Sequence, residues 1–304
     1  MITKPTVLVL GAGASAHLGF PLGPALYASV CEGLDPHLSN NFRQHLNVSQ
    51  HNPYVLDEFR GSLLKSGVRS VDEFLEYRQE FTDIGKAAMA YVLTRHESED
   101  PLFRPNLTNW YKTVWGYMRG KLDTFADNKI SIITFNYDRS FEQFLYVAMS
   151  NLHRSDHAAT QAILKSFRVL HVHGQLGWLP WQIKPGTHNE RRNYNGEWSQ
   201  PALGVCIKSM RMIHEDAPQS AELLSQIKAW LNEAERIVFL GFSFHPTNVQ
   251  KLQLDALDDL TGKSLFATGV GLSKTRAEQL RQVYPLKIFD QEIESLLTHE
   301  VALT

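Results

Sequence analysis

Cysteine is scarce: the 304 residues include two, Cys31 and Cys206. Two thiols cannot build a disulfide framework or a four-thiolate zinc site. An excess of charge is missing too. A formal net charge of -2 and a pI near 6.7 leave no basic face for a nucleic-acid backbone, so no direct nucleic-acid binding is expected. Arg191-Arg192 is a local basic pair only. No long uninterrupted apolar segment occurs, and no basic leader with a cleavage site precedes the first apolar run at 7–10. These absences predict neither export nor a membrane span and, with the few thiols, a cytoplasmic location. Internal repeats and low-complexity tracts are also lacking.

What is present is 43% hydrophobic and 20% charged residues, enough to bury a sizeable core in one large or two modest domains. The organising stretch is Ile132-Ile133-Thr134-Phe135-Asn136-Tyr137-Asp138, an apolar run that stops on polar groups. A buried parallel strand ends this way at a ligand site, because ligands of open α/β sheets sit beyond the carboxyl ends of the strands. Three other runs end alike. Residues 7–10 enter Gly11-Ala12-Gly13-Ala14-Ser15, 169–172 enter His173-Gly174, and 237–240 enter Gly241-Phe242-Ser243. The expectation is that these four ends meet at one pocket.

Between the first two strands the pattern is helical, with breaks at Asp35-Pro36, Asn52-Pro53 and 101–105. Ser70-Val71-Asp72-Glu73 reads as a capping box opening a helix, and 107–125 as one long helix. Helices are expected at 140–149 and 158–166, and a surface loop over 179–200, with Pro180, Pro185, Gly186, His188 and Gly196. A further helix opens on Ala217-Pro218-Gln219-Ser220. Strands 237–240, 265–268 and 286–289 alternate with helices 247–257 and 274–282. The predicted fold is α/β: a Rossmann-like, mostly parallel sheet with helices on both faces. It is formed by 1–20 and 129–304, with an inserted helical subdomain over 21–128.

Each motif has two readings. Gly11-Ala12-Gly13 with Ala16 fits a dinucleotide turn, G-x-G-x-x-A, whose backbone amides approach a phosphate; it also fits a plain strand-to-helix turn. No second strand ends in an acidic residue some 20 positions later, so this is not a standard dehydrogenase half. Asn136 sits too early to be a simple helix cap, whereas Asp138 fits one. His171 and His173 share a face if their strand stays extended. With no third partner at a recognisable spacing, no metal is expected there. His173 reads as a base or hydrogen-bonding group at the strand mouth, and His171 as a satisfied core histidine. Gly241-Phe242-Ser243-Phe244 could cradle a phosphate or ribose, or be a turn with packed phenylalanines. Trp178 and Trp181 could stack a base or shield the sheet.

The four stations in this order resemble the sirtuin fold, and more closely the sirtuin-like NADases of bacterial antiphage defence. Gly11-Ala12-Gly13-Ala14-Ser15 is similar to the sirtuin GAGIS turn, Thr134-Phe135-Asn136-Tyr137-Asp138 to TQNID, His173-Gly174 to the catalytic HG, and Gly241-Phe242-Ser243 to GTS. Ser70-Val71-Asp72-Glu73-Phe74-Leu75 resembles a helical signature of the defence branch. The chain departs from the deacylases in lacking the two cysteine pairs of their zinc module and in its helical insertion.

The resemblance implies NAD as substrate, no zinc, and hydrolysis to nicotinamide and ADP-ribose. Asn136 and His173 would be catalytic. Gly11, Ala12, Gly13 and Ser15 would hold the pyrophosphate, Asp138 would read the nicotinamide amide, and Gly241 and Ser243 would hold ADP-ribose. A toxic NAD-depleting effector must be restrained, and no sensor domain is visible, so a separately encoded regulatory partner and a homo-oligomer are expected. The alternatives are a sensor of NAD or an ADP-ribose derivative and, behind it, a protein deacylase.

Overall fold

A computed structural model describes residues 1–38, 41–48, 52–118, 120–154, 156–182, 190–196, 199–212, 215 and 220–303. The sheet has six strands: β1 (Thr6–Leu10), β2 (Ile130–Thr134), β3 (Arg168–His171), β4 (Arg236–Leu240), β5 (Ser264–Thr268) and β6 (Leu286–Phe289). Every pairing is parallel and the order is β3-β2-β1-β4-β5-β6. The fold is therefore α/β and Rossmann-like, with the winding reversing between β1 and β4. That reversal is where ligands of such sheets bind.

Both faces of the central strands are buried, which explains their continuous apolar runs. Leu8, Leu10, Ile130, Ile132, Val238 and Leu240 belong to one core cluster. Val7, Val9, Ile133, Ile237 and Phe239 belong to the other. The second face is covered by α11 (Ser220–Glu233), α12 (Pro246–Leu252) and α13 (Lys274–Val283), through Trp230, Leu231, Leu252 and Leu280.

Segment 21–128 lies against the first face. It carries α1 (Gly23–Gly33), α2 (Asn41–Val48), α3 (Pro53–Lys65), α4 (Val71–Tyr77), α5 (Thr82–Thr94), α6 (Glu99–Phe103) and α7 (Trp110–Met118). Its buried residues form one continuous cluster with Leu8 and Leu10 of β1. The central helix α5 is buried from Ile84 through Leu93.

Local chemistry sets several boundaries. Ser70 Oγ accepts the Glu73 amide at 3.1 Å, while the Glu73 carboxylate reaches back to the Arg69 amide (3.3 Å) instead of that of Ser70. The helix expected over 107–125 is divided. Asn109 Oδ1 accepts the Tyr111 amide at 3.0 Å and starts α7 there, and after Gly120 a 3-10 turn covers Leu122–Asp127. Two more helices, α8 (Ser140–His153) and α9 (His157–Leu164), lie near their expected places. Helix α10 (Gln200–Ser209) was not foreseen, although Ser199 Oγ accepts the Ala202 amide and Pro201 occupies its first turn. Helix α14 (Ile293–His299) was not foreseen either. Of the loop over 179–200, residues 183–189, including Pro185, Gly186 and His188, lie outside the described residues, as do 217–219 before α11.

Glycines at the carboxyl edge tolerate no side chain. A Cβ on Gly241 (φ 57°) would stand 2.3 Å from Gly13 C and Ala14 N, and one on Gly174 (φ 68°) 2.0 Å from Ser209 O. Gly61, inside α3, would meet nothing within 4 Å. Gly241→Ala is expected to cost roughly 3 kcal/mol, combining left-handed strain with overpacking, and Gly61→Ala to raise stability by about 0.5–1 kcal/mol. Equal denaturation midpoints for the two variants would disprove this account.

Candidate functional site

The strand order places the carboxyl ends of β3, β2, β1 and β4 side by side on one edge. Between β1 and β4 the backbones are in contact. Gly11 N donates to Leu240 O and Gly13 N to Gly241 O, both at 3.0 Å. A Cβ on Gly11 would sit 2.5 Å from Gly241 O, and one on Gly13 2.8 Å from Gly241 Cα. The glycines thus permit a backbone seam, and it consumes the two amides expected to meet a phosphate. Ala12 and Ser243 are exposed beside the seam. Phe242 and Phe244 are buried in the second core cluster, so the β4 turn packs as its plainer reading has it.

Asn136 is half-buried, between buried Phe135 and buried Tyr137. Its Nδ2 donates to Gly11 O (2.9 Å) and Ser15 Oγ (3.2 Å). Both amide protons are thereby engaged, and Oδ1 takes no hydrogen bond from the described residues. Asp138 is buried, with both oxygens occupied: Oδ2 accepts from Ser15 Oγ at 2.7 Å and Oδ1 from the Ser140 amide at 3.1 Å. It ties the first turn to the second strand end and accepts the first amide of α8 from just outside the helix.

His171 and His173 do not share a face. The strand ends at His171, and Gly174 N donates to His171 O, closing a turn that redirects His173. His171 points to α8. Its Nε2 pairs with Glu142 Oε1 at 2.7 Å and its Nδ1 with Asn136 O at 3.0 Å. Burial alone would lower its pKa, but the Glu142 carboxylate and the Asn136 carbonyl raise it overall. His173 instead faces α12, where Nε2 meets Asn248 Oδ1 at 3.2 Å. Its Nδ1 is buried without a partner among the described residues. Burial first, and the Lys251 charge second, hold its pKa down to about 4, so the ring is neutral at physiological pH. Asn248 escaped the sequence reading: nothing in helical spacing marks which residue of α12 meets the turn after β3.

A second missed group lies behind the site. Arg139, fully buried, donates Nε and Nη2 to the two oxygens of Glu97 (2.9 and 2.6 Å) and Nη1 to the carbonyls of Gly177 (3.0 Å) and Arg192 (2.8 Å). Arg192 pairs with the same carboxylate. Burial lowers the Arg139 pKa to about 10, which leaves it charged at neutral pH. The group fastens the chain after β3 to Arg139, the residue that follows Asp138. Trp181 is buried against α8, stacked on Tyr146 at 4.9 Å, with its Nε1 donating to Gln143 Oε1 at 3.4 Å.

Two cavities lie elsewhere: about 910 Å³ between α3 and α4, and about 500 Å³ beside Tyr146, Trp181 and Tyr194. Among the described residues no group of three or more His, Cys, Asp or Glu could hold a metal ion, and no helix is long and apolar enough to cross a membrane. No family model, no curated protein and no solved structure matches the chain.

The two histidines have opposite linkage. The folded pKa of His173 is depressed, so its contribution is complete above about pH 6.5 and is lost as pH falls toward 4, a change of roughly 3 kcal/mol. That of His171 is raised, so its contribution is complete below about pH 6.5 and is lost as pH rises through the folded value. His173→Gln is expected to flatten the acid side of the stability profile and His171→Gln the alkaline side. Chemical denaturation across pH 4–9 tests this; profiles identical to wild type would refute both assignments.

Proposed function

We propose that this protein is an NAD glycohydrolase, cleaving NAD to nicotinamide and ADP-ribose at the carboxyl edge between β1 and β4. One observation carries the reading: two acceptors at neighbouring strand ends have no partner among the described residues. Asn136 has committed its amide protons to Gly11 and Ser15, and His173 has committed its Nε2 proton to Asn248, so each has a lone pair left. Two unspent acceptors suit the hydroxyls of a ribose and an attacking water. The position agrees, because open sheets of this winding bind nucleotides where the strand order reverses.

In this mechanism Asn136 Oδ1 orients the water and His173 Nδ1 accepts a hydrogen bond from a ribose hydroxyl. The water oxygen bonds to the anomeric carbon, and the glycosidic electron pair leaves with nicotinamide. That ring is cationic in NAD and becomes neutral on departure, so no acid is needed at the leaving group. The proton lost by water passes to solvent, through His173 or directly. The pocket's task is to position a weak nucleophile against an oxocarbenium-like carbon.

Gly11 and Gly13 contribute by forming the seam, while Ala12 and Ser243, exposed beside it, face the ADP-ribose portion. Asp138, which accepts from Ser15 Oγ and from the Ser140 amide, holds Ser15 in place and would read the nicotinamide amide with the lone pairs those two bonds leave. The wider role, a toxic effector of bacterial antiviral defence restrained by a separate partner and by oligomer assembly, rests on the motif order GAGAS, TFNYD, HG and GFS.

Incubating purified protein with NAD, alone and with the product of a neighbouring gene, while following nicotinamide release tests the activity. Asn136→Ala and His173→Ala are each expected to abolish release without unfolding the chain, and His171→Ala to act mainly on stability. Normal turnover by folded Asn136→Ala would sink the mechanism. NAD bound with its glycosidic bond intact under every condition would make the protein a sensor, and NAD-dependent formation of acyl-ADP-ribose from an acylated peptide would make it a deacylase.

A further inference from the structure

We propose that Asn248 is the positioning residue of this site: by accepting the Nε2 proton of His173, it fixes the tautomer that leaves the Nδ1 lone pair for a ligand hydroxyl. The inference rests on the reading of His173 as an acceptor at the ribose. Its structural basis is separate, and comes from three observations.

First, a neutral imidazole carries one proton, and which nitrogen holds it is decided by the bond the other atoms offer. Asn248 Oδ1, at 3.2 Å from Nε2, can only accept, so the proton belongs on Nε2. Second, Nδ1 is buried with no partner among the described residues. A proton there would be a buried unsatisfied donor, which is costly, so the surroundings disfavour the other tautomer as well. Third, the remaining described neighbours offer the ring no competing hydrogen bond. The Phe135 ring lies 5.6 Å away and the Tyr137 ring 6.3 Å. The Tyr137 hydroxyl is directed to Asp72 at 2.9 Å.

Charge acts on the same device. Asn248 and Lys251 are three positions apart on α12, hence on one face of the helix. Lys251 opposes a second proton on the ring, adding to the larger effect of burial. From the other packed elements, Tyr137 has its own ionisation pushed well up by burial, and Arg211 donates its main-chain amide to His173 O at 2.8 Å. Helix α12 therefore sets both the proton's position and the ring's neutrality, although none of its residues need touch the substrate.

Histidine-labelled full-length protein, with the His173 signals assigned by difference from His173→Gln, tests the proposal by NMR. Wild-type His173 is expected to show the Nε2–H tautomer and to protonate only near pH 4. Asn248→Leu should give mixed tautomers. Asn248→Asp keeps the acceptor, and should retain the tautomer while raising the pH of protonation. Lys251→Met should raise that pH with the tautomer unchanged. In NAD hydrolysis, Asn248→Leu should lower kcat by about 10–100-fold with little change in KM, as expected for a residue that orients a reacting group, and Asn248→Asp should recover part of the loss.

An Nδ1–H tautomer in wild type, or an unchanged tautomer in folded Asn248→Leu, would overturn the proposal. Should Asn248→Leu not fold, wild type against Asn248→Asp decides it by the same signals. A confirmed tautomer lock in a protein that never releases nicotinamide would support the positioning role and reject the NAD reading. Turnover without the lock would do the reverse.

Discussion

The backbone seam between Gly11-Gly13 and Gly241 is the constraint on which the edge depends. Two amide-to-carbonyl bonds at 3.0 Å draw the first turn onto the end of β4, at separations that leave no space for a Cβ on any of the three. With the turn held there, Gly11 O and Ser15 Oγ stand where Asn136 can donate to both, and Ser15 can donate to Asp138. The ends of β1, β2 and β4 are thereby joined into one polar network, at the place where the sheet reverses its winding.

The network's character follows from which groups it uses up. Donors are spent internally: the amides of Gly11 and Gly13, the Asn136 carboxamide protons and the Ser15 hydroxyl all meet protein acceptors. Acceptors remain on Asn136 and His173. Behind the edge, the Arg139–Glu97–Arg192 group holds the following chain with charge-assisted bonds in a fully buried setting. A group of this kind is weak evidence for stability, since desolvation offsets its attraction. Its geometric consequence is definite: it links α8, the segment before α6 and the chain around 192 at one point.

Much of the frame was legible in the order of residues. Six apolar runs, their turn residues and the intervening helical patterns determined an α/β sheet, because strands buried on both faces must be apolar throughout and parallel strands need crossovers. The Ser70 cap, the Asn136 strand end and the polar termini of four runs are local features, and local chemistry encodes them. Helix α10 was legible too, in Ser199 and Pro201, at the end of the turn-rich segment 179–200.

Tertiary structure decided the rest, for a physical reason common to each case: the partner lies far along the chain. Gly11 meets Leu240 and Gly13 meets Gly241, so amides that look available to a phosphate are spent on another strand. His171 and His173, two residues apart, part company because a turn at Gly174 sends one to Glu142 and the other to Asn248. Glu97 finds Arg139 and Arg192 with no spacing to announce it. The sequence by itself determined which strands end in chemistry; only the fold decided which of those atoms still had a hydrogen bond left to make.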